Sequence, residues 1–240
     1  MTLQENADQA PFVNFRDLGG LTAPGGRHVR PETFYRSEVP LFGDLPPALE
    51  WPPRTVVDLR SEGERNGVLA PMQWSQATSI NVIPLMADAD PTRIAGRHLS
   101  FVTADYLHMF QRVVEDRALE LARAITLIAH AEYPVLVHCS AGKDRTGILV
   151  ALALDLIGVS TNSIVRDFLR SNSAAGEITT KVFRALGREP HDPVPNSAAE
   201  LLQVISTWRA HRGGVEGWLV DHGARPHVPA LLRERLLRYP

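Results

Sequence analysis

One cysteine, two lysines and no apolar run long enough to cross a bilayer set the first limits on this chain of 240 residues. Cys139 has no second cysteine to pair with, so an intramolecular disulfide is excluded, and a lone thiol suits a reducing compartment. The longest apolar stretch, from Ile148 to Gly158, is interrupted by Asp155. Charge of one sign is also lacking: the formal net charge is -2, which provides no basic field of the kind that nucleic-acid binding needs. The opening MTLQENADQA has neither the basic nor the apolar region of a signal peptide, so a soluble cytoplasmic protein with no integral membrane segment is expected. Signal-independent secretion stays open.

Two chemistries drop out in the same way. There are nine histidines but no His-Glu-x-x-His and no cysteine pair, so no metal and no cofactor are expected. Gly142-Lys143 might suggest a nucleotide-binding Walker loop, which needs a glycine five residues before Gly142 and Ser or Thr after the lysine. Val137 and Asp144 stand there instead.

What is present suffices for a packed core: 44% of the residues are hydrophobic, enough for one α/β domain over 1–240 with residues 1–10 disordered. Leu21-Thr22 and Arg27-His28-Val29 flank Pro24-Gly25-Gly26 as a short hairpin. Thr33–Arg36, Arg54–Leu59, Ser79–Pro84 and Tyr133–Val137 read as strands, and their alternation with helical segments predicts a mostly parallel sheet. Leu41–Pro53 reads as a surface loop, and Met86–Gly96 as a mobile loop near the pocket mouth. Helical spacing appears at Thr103–Val114, Arg117–His130 and Thr146–Gly158. It returns through the C-terminal third at Ser163–Arg170, Gly176–Leu186, Ser197–Arg209, Val215–Asp221 and Pro229–Leu237, with a capping box from Ser197 to Glu200.

The chemistry concentrates in His138-Cys139-Ser140-Ala141-Gly142-Lys143-Asp144-Arg145-Thr146-Gly147, between the Tyr133–Val137 strand and a Leu/Ala-rich helix. A loop from a strand's C-terminal end to a helix N-terminus turns backbone N–H groups and the positive end of the helix dipole toward one point. That geometry suits a phosphate dianion and a thiolate alike. Flanked by His138, Lys143 and Arg145, the cysteine is expected to be ionised at neutral pH. Arg145 offers a planar fork for two phosphate oxygens, and Gly142 lets the chain turn with its amides inward. Thr146 is placed to hydrogen-bond the sulfur as it leaves. With only two lysines in the chain, Lys143 is not a casual choice. An isolated cysteine is most often a small buried hydrophobe, but this setting argues against that.

The frame His-Cys-x5-Arg-Thr-Gly resembles the phosphate-binding loop of the cysteine-dependent tyrosine phosphatase superfamily, and its filling is similar to that of the atypical bacterial branch. Asn14-Phe15-Arg16-Asp17-Leu18-Gly19-Gly20 with Phe34-Tyr35-Arg36-Ser37 resembles that branch's N-terminal hallmark. Asp58-Leu59-Arg60-Ser61 and Asp167-Phe168-Leu169-Arg170-Ser171-Asn172 are further echoes. The resemblance implies a tyrosine phosphatase-like sheet flanked by helices. It implies Cys139 as nucleophile, and Ser140, Ala141, Gly142, Lys143, Asp144, Arg145 and Thr146 as the phosphate cradle. The substrate would be a phosphorylated protein or a phosphoinositide.

A proton donor must serve the departing oxygen. Asp58, at a strand's carboxyl end, matches the acid proposed for the family, against the alternative that it only pairs with Arg60. Asp144 inside the loop is the rival, and Asp88, Asp90 and Asp105 are weaker candidates. Arg16-Asp17 and Arg36 read first as scaffolding, and Arg166 and Arg170 as a solvated helix face. Two rivals to a phosphatase stand: a phosphate-reading module without turnover, and a rhodanese-like sulfurtransferase, whose cysteine loop lacks this frame.

Overall fold

The computed structural model describes residues 10–239 apart from 46, 68–70, 87–101, 186, 188 and 191, and only the backbone of 10, 11 and 102–108. Three segments become the parallel centre of a sheet: the aromatic-led β4 (Phe34–Ser37) and the Val-rich β6 (Thr55–Asp58) and β8 (Val135–His138), every residue of them buried. β7 (Ser79–Val82) continues the parallel set along β6, while β2 (Arg16–Asp17) adds an antiparallel edge on β4, giving the order β2-β4-β8-β6-β7. The sheet is therefore mostly parallel, as the alternating pattern predicts. Because Ser37, Asp58 and His138 come level in register, all three open at one end of the sheet.

Short pairings at the periphery escape the sequence reading. β1 (Ala10–Pro11) lies parallel to β5 (Asp44–Leu45), so the expected disorder does not extend to residue 10, and residues 1–9 lie outside the described residues. β3 (His28–Val29) pairs with β9 (Leu237–Arg238), tying the C-terminus to the N-terminal third. The hairpin around Pro24-Gly25-Gly26 forms as expected, with both glycines at φ 73°. The loop expected from Met86 falls, beyond that residue, outside the described residues.

A five-residue α1 (Glu62–Asn66) is not among the expected helices, whereas the others keep close to their expected spans: α2 (Val102–Asp116), α3 (Ala118–His130), α4 (Asp144–Leu156), α5 (Thr161–Leu169), α6 (Ala175–Ala185), α7 (Ala198–Ala210), α8 (Gly214–Asp221) and α9 (Val228–Leu236). α4 runs through the centre, buried from Arg145 to Leu156. Its one interior carboxylate, Asp155, accepts from Trp208 Nε1 at 2.7 Å and pairs with Arg209 on α7, so a buried charge inside an apolar helix is matched. Leu121, Ile125 and Ile128 of α3, and Leu201, Val204 and Trp208 of α7, close the core around it.

Candidate active site

The loop after β8 begins at Cys139, a free thiol only 2% exposed, and ends where α4 starts at Asp144. Close approach of β4 shapes the turn. Gly142 has φ 65°, and a Cβ there would lie 2.0 Å from the Ser37 carbonyl oxygen, so no other residue fits. Val39 N–H donates to the Ser140 carbonyl at 2.9 Å, fastening the first half of the loop to the chain beyond β4.

A buried network holds the loop from below, and it is built from segments far apart in sequence. Asp167 on α5 accepts from Arg16 Nε at 2.6 Å and from Arg36 Nη1 at 2.7 Å. Arg36 Nη2 donates onward to the Gly142 carbonyl at 2.8 Å. Asn14 Nδ2 donates to the Ala141 carbonyl at 3.0 Å, while Asn14 Oδ1 accepts from Arg16 Nη1 and Ser171 Oγ. Burial alone would raise the Asp167 carboxyl, but Arg36 and Arg16 outweigh it and hold it below the usual range. Arg16, Arg36 and Asp167 are thus scaffolding, whereas Arg166 and Arg170 on either side of Asp167 stay exposed.

Arg145, in the first turn of α4, meets a residue that the sequence reading missed. Glu64 Oε2 accepts from its Nη1 at 2.7 Å and Oε1 from its Nη2 at 2.6 Å. Glu64 also closes a capping box with Ser61 at the start of α1 and accepts from Ser140 Oγ at 2.7 Å. Burial would raise its carboxyl, yet Arg145 holds it low. Arg145 is itself raised: burial lowers it, and the Cys139 sulfur and Glu64 more than compensate. Of the five guanidinium N–H groups, two go to Glu64 and one from Nη1 to the Leu59 carbonyl at 3.3 Å. The edge formed by Nε–H and the second Nη2–H has no partner among the described residues.

Asp58, expected to be free to give a proton, is instead tied to Arg60. Oδ1 accepts from Arg60 N–H at 3.0 Å and Nε at 2.9 Å, and Oδ2 from Nη2 at 2.7 Å. Burial would push its carboxyl up, but the charge and hydrogen bonds of Arg60 hold it down, and the His138 ring lies 3.8 Å away. His138 is fully enclosed and its pKa is lowered, chiefly by burial, so it stays neutral at pH 7 and adds no positive charge beside Cys139 as the sequence suggested. Asp144 sits at the start of α4, with Oδ1 buried, without a hydrogen-bond partner among the described residues, and 3.7 Å from Lys143 Nζ. Lys143 Nζ also donates to the Val194 carbonyl, which brings the segment before α7 over this side of the loop. There Glu200, expected only as a helix cap, has its carboxyl raised by burial, with the Asp144 charge adding to the effect. Thr146 Oγ1 is buried and bonds to nothing among the described residues, so its expected bond to the sulfur is not formed in this state. Asp88 and Asp90 lie outside the described residues, as does the side chain of Asp105.

A strand-to-helix loop carrying a cysteine, five further residues and an arginine with an open edge defines the class: an α/β protein with its candidate site at the carboxyl end of its sheet. The profile of the tyrosine phosphatase family matches residues 8–238, and the chain belongs to that family. Among its relatives, the triple specificity protein phosphatase PtpB of Mycobacterium tuberculosis is 43% identical over 82 residues, covering 34% of this chain and 29% of that protein. A provisionally named tyrosine-protein phosphatase of Cupriavidus necator is 32% identical over 166 residues, covering 66% and 60%. A tyrosine-protein phosphatase of Nostoc commune is 32% identical over 121 residues, covering 46% and 41%. The chain thus spans less than two thirds of the length of each of these relatives. No helix among the described residues is long and apolar enough to cross a membrane.

Proposed function

We propose that this protein is a phosphatase that removes phosphate from phosphotyrosine through a cysteinyl-phosphate intermediate, within one domain spanning 1–240 and in the cytoplasm. The observation that carries the reading is the open edge of Arg145. Glu64 occupies the end of the guanidinium and leaves Nε–H and Nη2–H side by side, the spacing that two oxygens of a phosphate dianion require.

In this reading Cys139 Sγ attacks phosphorus in line, forming an S–P bond as the P–O bond to the leaving group breaks. Arg145 and the inward amides of Ser140, Ala141, Gly142, Lys143 and Asp144 hold the three equatorial oxygens, and the dipole of α4 adds positive potential. Charge for the phosphate comes from the loop itself, so the reaction needs neither a metal nor a cofactor.

The proton for the departing oxygen comes from Asp144. Asp58 is paired through both oxygens and held ionised, which fits it to orient Arg60 at the end of β6. Water, losing its proton to the same Asp144, then attacks phosphorus and breaks the S–P bond, releasing inorganic phosphate. Thr146 Oγ1, buried with a hydrogen to give, turns to the sulfur as its negative charge returns.

Phosphoserine, phosphothreonine and phosphoinositides are further substrates of the same reading and are arms of the same test. Cys139→Ser is expected to abolish phosphate release from a panel of phosphopeptides and phosphoinositides while still binding a phosphotyrosyl peptide. Retained turnover in that variant ends the proposal. A lipid-only profile replaces the tyrosine assignment, and thiocyanate formation in place of vanadate-sensitive phosphate release would transfer the cysteine to sulfur chemistry.

A further inference from the structure

A cavity of about 820 Å³ lies at the opposite end of the sheet from Cys139, beyond the reach of the chemistry above. Thr55 at the start of β6 is on its wall and is paired with Val135, whereas the loop leaves β8 after His138. Four residues of strand, roughly 13 Å, separate the two ends.

The cavity wall is cationic in a protein whose net charge is -2. Arg54 enters from the turn before β6, Arg123 from α3 and Arg225 from the turn between α8 and α9, against the single carboxylate of Glu132. No ion pair or side-chain hydrogen bond holds any of the three guanidinium groups among the described residues, in contrast to Arg16, Arg36, Arg60 and Arg145, which are all committed. All three are exposed, so their charge is available to a ligand. Arg123, Leu127 and His130 share one face of α3 by their spacing of three and four residues. Leu127 and the exposed Ala77 supply apolar surface beside the charges, and the His130 and His227 rings meet edge to face at 5.8 Å across the wall. The volume is that of a small-molecule site, which runs to about 300–1,000 Å³.

We propose that this cavity binds a small organic polyphosphate, with its phosphates on Arg54, Arg123 and Arg225 and its uncharged body against Ala77 and Leu127. The inference does not depend on the phosphatase reading, because no residue is shared with the loop. The test is an amide-resolved NMR titration of the full chain with pyrophosphate and, separately, with ATP. Shifts are expected over residues 126–132 and 225–228, with ATP binding more tightly than pyrophosphate. In the double variant R123E/R225E affinity at these amides should fall about tenfold or more. Any shifts at 139–145 and the basal release of phosphate should be unchanged, which also shows that the variant is folded. Shifts confined to 139–145, or groove affinity equal in the variant and the parent, overturn the site. Equal affinity for pyrophosphate and ATP overturns the organic part of the assignment. Loss of turnover in Cys139→Ser with groove binding intact separates the fate of this proposal from that of the active site.

Discussion

Glu64 grips Arg145 end-on, with both carboxylate oxygens within 2.7 Å of its two terminal nitrogens, and so fixes which edge of the guanidinium an anion can meet. The carboxylate is anchored in turn by the Ser61 amide and by Ser140 Oγ. Glu64→Gln keeps the volume but removes the charge and turns an N–H₂ toward Arg145. Unpairing a buried ion costs about 3–5 kcal/mol, and we expect a loss near the lower end because one oxygen remains. Turnover should fall about 10²-fold, since Arg145 would no longer be held in the orientation that stabilises the transferring phosphoryl group. Thermal unfolding and kcat/KM on one aryl phosphate check both effects, and an unchanged kcat/KM removes Glu64 from any positioning role.

The assignment of the proton donor is open to a leaving-group test. With Asp144→Asn, an alkyl or phenyl phosphate, whose leaving oxygen needs a proton, should slow by about 10²–10⁴-fold. p-Nitrophenyl phosphate should slow far less. Asp58→Asn should slow both substrates by a similar factor, because it loosens Arg60 without removing a proton source. The reverse pattern between the two variants returns the role to Asp58.

How much of this site was legible from the sequence differs from residue to residue. The decapeptide from His138 to Gly147 contains the strand end, the loop and the helix start in consecutive positions, so local geometry could be inferred. The strand end shifted from Val137 to His138 and the helix start from Thr146 to Asp144. The hallmarks around Arg16, Arg36 and Asp167 were visible as motifs, but their meeting was not, since contacts across 131 and 151 residues depend on the sheet order. Glu64 left one signal, Ser61 and Glu64 at capping-box spacing. A helix of five residues is too short for periodicity to reveal it, and nothing local points that carboxylate at Arg145. For Asp58 the place at a strand end and the alternative of a pairing with Arg60 were both legible, and only the folded geometry shows that pairing formed through both carboxylate oxygens.

The scaffold below the loop yields a prediction independent of catalysis. Asp167→Asn would leave Arg16 and Arg36 buried side by side with no counter-charge, a loss of about 3–5 kcal/mol. Replacing Arg36 with Met in the same chain should recover part of it, because a double change removes the stranded charge along with its partner. Chemical denaturation of the two single variants and the double variant tests the coupling. Additive losses would mean that Arg36 and Asp167 do not interact.

His138 makes stability depend on pH in a definite direction. Burial lowers its folded pKa below the unfolded value of about 6.5, so the unfolded chain binds the extra proton as the pH falls. The contribution is complete above about pH 6.5 and is lost as the pH drops from there toward the folded pKa, with a slope of up to about 1.4 kcal/mol per pH unit for one proton. The opposing influence of Asp58 does not reverse the sign, because enclosure of the ring is the larger effect. Asn in place of His138 keeps a donor near the position of Nδ1, which lies 3.1 Å from the Cys139 carbonyl, and cannot titrate. The parent protein should therefore lose stability as the pH falls below about 6.5 more steeply than His138→Asn. Denaturant midpoints at half-unit steps of pH measure the difference, and parallel curves for the two proteins would mean that His138 is not held neutral by its surroundings.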